Sequence, residues 1–171
     1  MVRGICICGL NGSGKTTLAA SLARSLDYKH MDIEDYYFLP SDIPYSHPRT
    51  KEEVIPLVLE DMLKNPCFVF SYVKGDMTPE INEKFDLVVY LDVPKDIRMK
   101  RIRQRAFDKF GERVLVGGDM YEQEEAFFKM VSGRDDTAIK AWLDTLSCKV
   151  IILDGTKPIE NNIQIILEEI K

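Results

Sequence analysis

The run Gly9-Leu10-Asn11-Gly12-Ser13-Gly14-Lys15-Thr16 constrains the fold more tightly than any other stretch of the chain. It fits G-x-x-x-x-G-K-[ST] at every fixed position. Gly12 and Gly14 let the backbone curl without a Cβ clash, so that successive N–H groups aim at one anion. The residues on either side supply the context such a loop needs. Gly4-Ile5-Cys6-Ile7-Cys8 is a short apolar run ending in glycine, which reads as a strand buried on both faces. Lys15 to Leu26 reads as a helix, with Leu18, Leu22 and Leu26 four apart. A strand, a glycine loop and a helix N-terminus together make a phosphate cradle, to which the helix adds the positive end of its dipole. Lys15 is then a mobile charge for the β- and γ-phosphates, and the Thr16 hydroxyl is a candidate Mg²⁺ ligand. The motif implies binding of a nucleoside triphosphate and leaves the reaction open.

The rest of the chain has to supply a sheet for this unit. Tyr28 to Asp32, Cys67 to Ser71, Leu87 to Asp92 and Val150 to Asp154 read as further strands. Between them, helices are expected at Lys51 to Lys64, from Thr78-Pro79-Glu80, and at Lys95 to Phe107, Tyr121 to Val131, Thr137 to Leu146 and about Ile159 to Ile170. Tyr36 to Thr50, rich in Pro, Tyr and Asp, reads as a loop. Apolar strands alternating with helices imply an α/β fold: five parallel strands with helices on both faces. At 171 residues the chain is one domain, 1–171, and Gly111, Gly117 and Gly118 mark a flexible stretch.

Composition narrows the function classes. With 23 Lys+Arg against 28 Asp+Glu, the net charge of −5 argues against general binding to nucleic acid or anionic membrane. No apolar run approaches the ~18 residues of a membrane span, and the start, Met1-Val2-Arg3-Gly4, leads straight into a strand, so a cytoplasmic protein is expected. The four cysteines, Cys6, Cys8, Cys67 and Cys148, form no C-x-x-C pair and read as buried small hydrophobes.

Two charged clusters carry candidate chemistry. His30-Met31-Asp32-Ile33-Glu34-Asp35-Tyr36-Tyr37 places three carboxylates at the carboxyl end of a strand, the end at which open parallel sheets bind ligands. Crowded carboxylates suit a cation, or an acceptor hydroxyl that must lose a proton. From Lys95 to Arg113 there are eight Lys+Arg against three Asp+Glu, and Arg98, Arg101 and Arg105 share one helical face. Such a face can clamp triphosphate oxygens, or simply be solvated.

Taken in order, Gly9 to Thr17, Val93-Pro94-Lys95-Asp96-Ile97 with Arg101-Ile102-Arg103-Gln104-Arg105, Gly133-Arg134-Asp135-Asp136 and Asp154-Gly155-Thr156-Lys157-Pro158-Ile159 resemble adenylate kinase and its P-loop relatives. The resemblance spans nearly the whole chain and implies a P-loop NTPase fold, ATP and Mg²⁺ as cofactors, and a small-molecule acceptor, with an acceptor-binding region at about 33–65 and a mobile lid at about 107–133. It implies that Arg101 flanks the adenine and Arg105 reaches the phosphates. It makes Arg134 a lid arginine and sets Gly155, Thr156, Lys157 and Pro158 beside the adenine. Asp32-Ile33-Glu34 resembles the D-x-D of shikimate kinase, and Glu34-Asp35-Tyr36-Tyr37 the D-D-F-F/Y run of uridine and nicotinamide riboside kinases. Both imply that Glu34 is the acceptor-side base, and the first also gives Asp32 an association with the metal. After the third strand adenylate kinases carry D-G-F-P-R, whereas this chain reads Ser71-Tyr72-Val73-Lys74-Gly75-Asp76. The arginine that grips an acceptor phosphate is missing there, with Lys74 its nearest substitute.

ATP-dependent phosphoryl transfer to a hydroxylated metabolite or nucleoside is therefore the expected activity. The catalytic set is Lys15, Asp32, Glu34, Arg101, Arg105 and Arg134, and the nucleotide set is Gly9, Asn11, Gly12, Ser13, Gly14, Lys15, Thr16 and Thr17 with the Gly155–158 loop. Thr16 and Asp32 face the metal, and Asp35, Tyr36, Tyr37, Arg49 and Lys74 face the acceptor, where the tyrosines either stack on a ring or pack in the loop. A nucleoside monophosphate kinase and a non-catalytic ATP-binding module are the alternatives. A regulatory GTPase is not, since no asparagine is followed by lysine as N-K-x-D requires. Without ligand, Arg101, Arg105 and Arg134 are expected to be exposed and apart, converging on the nucleotide when the lid closes.

Overall fold

β1 (Gly4–Cys8) is wholly buried and stands at the centre of a five-stranded sheet. In the computed structural model, which describes residues 2–38, 48–73 and 78–171, it is flanked by β3 (Phe68–Tyr72) and β4 (Leu87–Asp92). Beyond these lie β2 (Lys29–Asp32) and β5 (Lys149–Asp154), giving the order β2-β3-β1-β4-β5 with every pair parallel. A parallel sheet places all its carboxyl ends on one edge. Register aligns Cys8 with Tyr72 and Tyr90, Asp32 with Ser71, and Asp92 with Asp154, so the segments after all five strands meet there.

Strand alternation sorts the core into two layers. Cys6, Cys8, Phe68, Phe70, Tyr72, Val88 and Tyr90 face one side, covered by α3 (Lys51–Lys64) through Val54, Val58 and Met62 and by α7 (Thr137–Leu143) through Ile139, Trp142 and Leu143. Ile5, Ile7, Val69, Leu87, Val89 and Leu91 face the other, covered by α1 (Lys15–Leu26) through Leu18 and Leu22 and by α8 (Ile159–Glu169) through Ile166. All four cysteines are free, and Cys6 and Cys8 are fully buried; burial pushes the Cys8 thiol up to about 12. Cys6 and Cys8 pack as small hydrophobes, as expected, whereas Cys67 and Cys148 are only partly buried, which corrects the expectation for those two.

Several element boundaries follow local chemistry. Thr50 and Glu53 form a capping box at the start of α3. Thr78 caps α4 (Pro79–Asn82), with proline in its first turn. The expected loop at Tyr36 is corrected: α2 (Ile33–Tyr37) is helical, and the Asp32 carboxylate caps it by accepting from Glu34 N–H at 3.0 Å. α5 (Lys95–Phe110) runs three residues past its expected end, because Phe107 to Phe110 continue the helix before Gly111 turns it at φ 61°. The stretch expected as a lid is folded as the end of α5, a 3₁₀ turn (Gly111–Val114) and α6 (Tyr121–Ser132), which returns along α5. Met99, Ile102, Val131, Phe127 and Phe128 hold this pair together. The Arg103 guanidinium lies 3.7 Å above the Phe128 ring and pairs with Glu125. Among the described residues, no helix is long and apolar enough to cross a membrane.

Candidate active site

The glycine loop fills the gap between β1 and α1 at the carboxyl edge of the sheet. Gly12 and Gly14 take φ of 81° and 92°, the left-handed conformations that only glycine adopts cheaply. Gly12 has a second reason to lack a side chain: a Cβ there would lie 2.5 Å from the Arg98 carbonyl oxygen of α5. Among the described residues no side chain caps the N-terminus of α1, so its first N–H groups remain available to an anion.

Lys15 is 8% exposed, and among the described residues its side chain has no hydrogen bond or ion pair. Burial lowers its pKa, while the nearby Glu34 and Asp32 pull it back up and Arg105 adds to the lowering. The Ser13 hydroxyl is also buried without a partner among the described residues. An orphaned cation and an orphaned hydroxyl in a cradle of backbone donors fit a polyphosphate. Thr16 and Thr17 are exposed at the mouth.

Facing the loop are the carboxylates that follow β2. Asp32 uses Oδ1 as the α2 cap, leaving Oδ2 without a hydrogen-bond partner among the described residues. Beside it in register, the Ser71 hydroxyl is 0% exposed and likewise unpartnered among them. Glu34 and Asp35 are exposed in the first turn of α2. No group of three or more His, Cys, Asp or Glu among the described residues is placed to hold a metal alone. The donors that fit Mg²⁺ are oxygen atoms beside the phosphate cradle, from Thr16, Asp32 and Ser71.

The tyrosines of this segment pack against the core. Tyr36 donates its hydroxyl to Asp61 of α3, and burial followed by that carboxylate drives the phenol pKa well up. Arg49, expected to face the acceptor, donates from Nη1 to the Tyr36 carbonyl at 2.8 Å and from its backbone N–H to the Tyr37 carbonyl at 2.7 Å. Lys74 lies outside the described residues.

The arginines depart most from expectation. Arg98, placed by periodicity on the charged face, is 5% exposed. Its guanidinium donates to the Val93 and Asn11 carbonyls at 3.1 and 3.3 Å, because α5 crosses so close to Gly12 that this side chain is enclosed. Nor are Arg101 and Arg134 apart without ligand. Arg101 donates to the Ser13 carbonyl at 3.1 Å and to the Gly155 carbonyl at 3.0 Å, joining the glycine loop to the segment after β5. Arg134 Nη1 donates to Asn11 Oδ1 at 2.8 Å. Arg105 is exposed, as expected, and near enough to Lys15 to depress its pKa. The Gly155–158 segment is fixed by Gly155 N–H to the Asp92 carbonyl at 2.8 Å and by Thr156 N–H to Asp154 Oδ1 at 2.8 Å. A Cβ on Gly155 would strike Val93 at 2.5 Å. Lys157 and Pro158 lead from there into α8.

Comparison with known proteins agrees with this geometry. An AAA domain family model matches residues 5–113. The uncharacterized protein YqaC of Bacillus subtilis (strain 168) is 30% identical over 176 residues, covering 98% of this chain and 97% of that protein. Cytidylate kinase of Streptococcus pyogenes serotype M12 (strain MGAS2096) is 30% identical over 128 residues, 68% of this chain and 56% of its own length. Among solved structures, shikimate kinase from Aquifex aeolicus vf5 shares the fold with a TM-score of 0.54 at 18% identity, over 98% of this chain and 96% of that one. The strand order, the complete glycine-loop motif and the family match make this chain a member of the AAA domain family with a P-loop kinase-like fold.

Proposed function

We propose that the protein is an ATP-dependent phosphotransferase acting on a hydroxyl of a small metabolite or nucleoside. The observation that carries this reading is Lys15: a buried cation, unpaired among the described residues, between a phosphate cradle and two carboxylates. A simple nucleotide-holding site needs the cradle and the cation. Carboxylates on the acceptor side make sense when a hydroxyl must be deprotonated.

In this reading the loop N–H groups, the α1 N-terminus and Lys15 hold the β- and γ-phosphates. The 155–158 segment, with Arg101 beside it, borders the adenine. The acceptor hydroxyl oxygen attacks the γ-phosphorus as the bond to the β–γ bridging oxygen breaks. Its proton passes to Glu34, and ADP leaves. Arg105 and Arg134 offset the charge on the moving phosphoryl group, which is where most catalysis of phosphoryl transfer lies. Mg²⁺ arriving with the triphosphate would neutralise phosphate oxygens, held by the Thr16 hydroxyl and, through water, by Asp32. Asp35 and Tyr37 border the acceptor.

A nucleoside monophosphate kinase is the second reading, favoured by the match to cytidylate kinase. Against it stands the engagement of Arg49, the only arginine between Ile33 and Asp76, by the Tyr36 carbonyl. A monophosphate dianion calls for bidentate partners. The test is ADP release with a panel of nucleosides, nucleoside monophosphates, sugars and hydroxy acids. Saturable turnover is expected with a hydroxyl acceptor. Fast conversion of a monophosphate to a diphosphate, lost in Arg49→Ala, would replace the first reading with the second.

A further inference from the structure

Arg134 sits in the short link between α6 and α7, yet it reaches the glycine loop without any nucleotide. Something must hold that link in place. On the α6 side, Arg134 N–H bonds the Val131 carbonyl at 3.2 Å, which closes the last turn of the helix. On the α7 side, Asp135 Oδ1 accepts from Thr137 N–H at 2.9 Å. Among the described residues, the next one makes the only side-chain bond from this link to the sheet: Asp136 Oδ2 accepts the Tyr90 hydroxyl at 2.8 Å. Tyr90 is 3% exposed and lies on β4, in register with Cys8, the residue that leads into the glycine loop. The strand that anchors the link is therefore the immediate neighbour of the strand that carries the loop.

We infer that Tyr90 and Asp136 are positioning residues that set Arg134 over the phosphate-binding loop before nucleotide arrives. This rests on the proposed role of Arg134 in holding the transferred phosphoryl group. The geometry differs from a lid arginine that swings in on closure. A short strut runs from the buried phenol to the Asp136 carboxylate, through two residues of backbone to Arg134, and from its Nη1 to Asn11 Oδ1. Asn11 is held from the other side as well, since its carbonyl accepts from Arg98 Nη1 at 3.3 Å. Further guanidinium N–H groups of Arg134 have no oxygen partner among the described residues and can turn to an anion. A long side chain fixed in this way loses less rotamer freedom on meeting its ligand, which is the benefit of preorganisation. Lys140 also pairs with Asp136 at 2.8 Å but is exposed, so it faces the carboxylate from outside without connecting to the sheet.

The test is the preference for a non-hydrolysable ATP analogue over ADP, measured by calorimetry with Mg²⁺ and accompanied by thermal melts. Arg134→Ala is expected to reduce that preference about 10-fold. Tyr90→Phe, which removes one oxygen atom, is expected to reproduce a loss of about 5-fold or more. In the Arg134→Ala background it should add less than about 2-fold, because both changes act through one group. Asp136→Ala, on a part-exposed residue, repeats the test should Tyr90→Phe fail to fold. Lys140→Gln should leave the preference unchanged. A Tyr90→Phe variant that weakens ATP analogue and ADP equally, or whose effect adds in full to that of Arg134→Ala, overturns the inference while leaving the kinase reading intact. An unchanged preference in Arg134→Ala removes the role of Arg134 itself, and the positioning inference falls with it.

Discussion

Replacing Lys15 by methionine should make the ligand-free protein more stable and weaken its hold on ATP. The side chain is buried, and among the described residues nothing bonds its ammonium group. Burial of a charge whose tip still reaches solvent, partly offset by Glu34 and Asp32, costs on the order of 1 kcal/mol. Methionine keeps most of the stem volume and carries no charge. Lys15→Met should therefore gain about 1 kcal/mol, and each kcal/mol moves the midpoint of a chain this size by about 2–4 °C. The pH dependence has a definite sign. Burial lowers the folded pKa of Lys15, so above that value the native state binds fewer protons than the unfolded state, and stability rises with pH. The advantage of the variant is thus full below the folded pKa of Lys15 and shrinks as pH climbs from there toward the ordinary lysine range. With saturating MgATP that gain is offset. Losing a charge-assisted contact of about 1.5–3 kcal/mol weakens binding by roughly 10-fold or more. Thermal unfolding from pH 7 to 10, with and without MgATP, reads both effects. A variant that melts at or below the parent without nucleotide refutes the unpaired-cation argument, and equal ATP affinity by calorimetry refutes the role of Lys15 in the cradle.

Two further substitutions separate local strain from chemistry. Gly12→Ala meets both a left-handed φ and the Arg98 carbonyl, whereas Gly14→Ala meets the φ and only the tip of the Arg101 side chain at 3.9 Å. Gly12→Ala should cost about 2–4 kcal/mol and Gly14→Ala about 1–2 kcal/mol in urea unfolding; equal costs would mean that α5 does not constrain the loop. Glu34→Gln should lower turnover by roughly 10²-fold or more while ATP affinity changes little. Asp32→Asn keeps a competent α2 cap, so its turnover reports the metal role without a folding penalty. If Asp32→Asn cripples the enzyme and Glu34→Gln is mild, the base has been assigned to the wrong carboxylate.

What could be read from the sequence was what is encoded locally. The glycine loop was legible because two left-handed positions and a helix start within eight residues leave few other folds. The five strands were legible because a parallel sheet covered on both faces needs uninterrupted apolar runs. α2 escaped because five residues show no helical period. The helix stands on a carboxylate cap and on the contact of Tyr36 with Asp61, a partner 25 positions away. Arg98 shows the limit of periodicity from the other side. The spacing of Arg98, Arg101 and Arg105 identifies a shared face but not what that face meets. Only the absence of a side chain at Gly12 lets α5 come close enough to enclose the first of the three and leave Arg101 on the glycine loop. The same glycine thus serves two ends, freeing backbone donors for phosphate and admitting the helix whose arginines hold the loop from behind. A methyl group at this position would push the loop off α5 as well as strain it, so loop shape and arginine placement are one constraint here. That coupling explains why Arg101 already bonds the loop before any ligand is present. The basic helix contributes to the architecture of the cradle as well as to its charge.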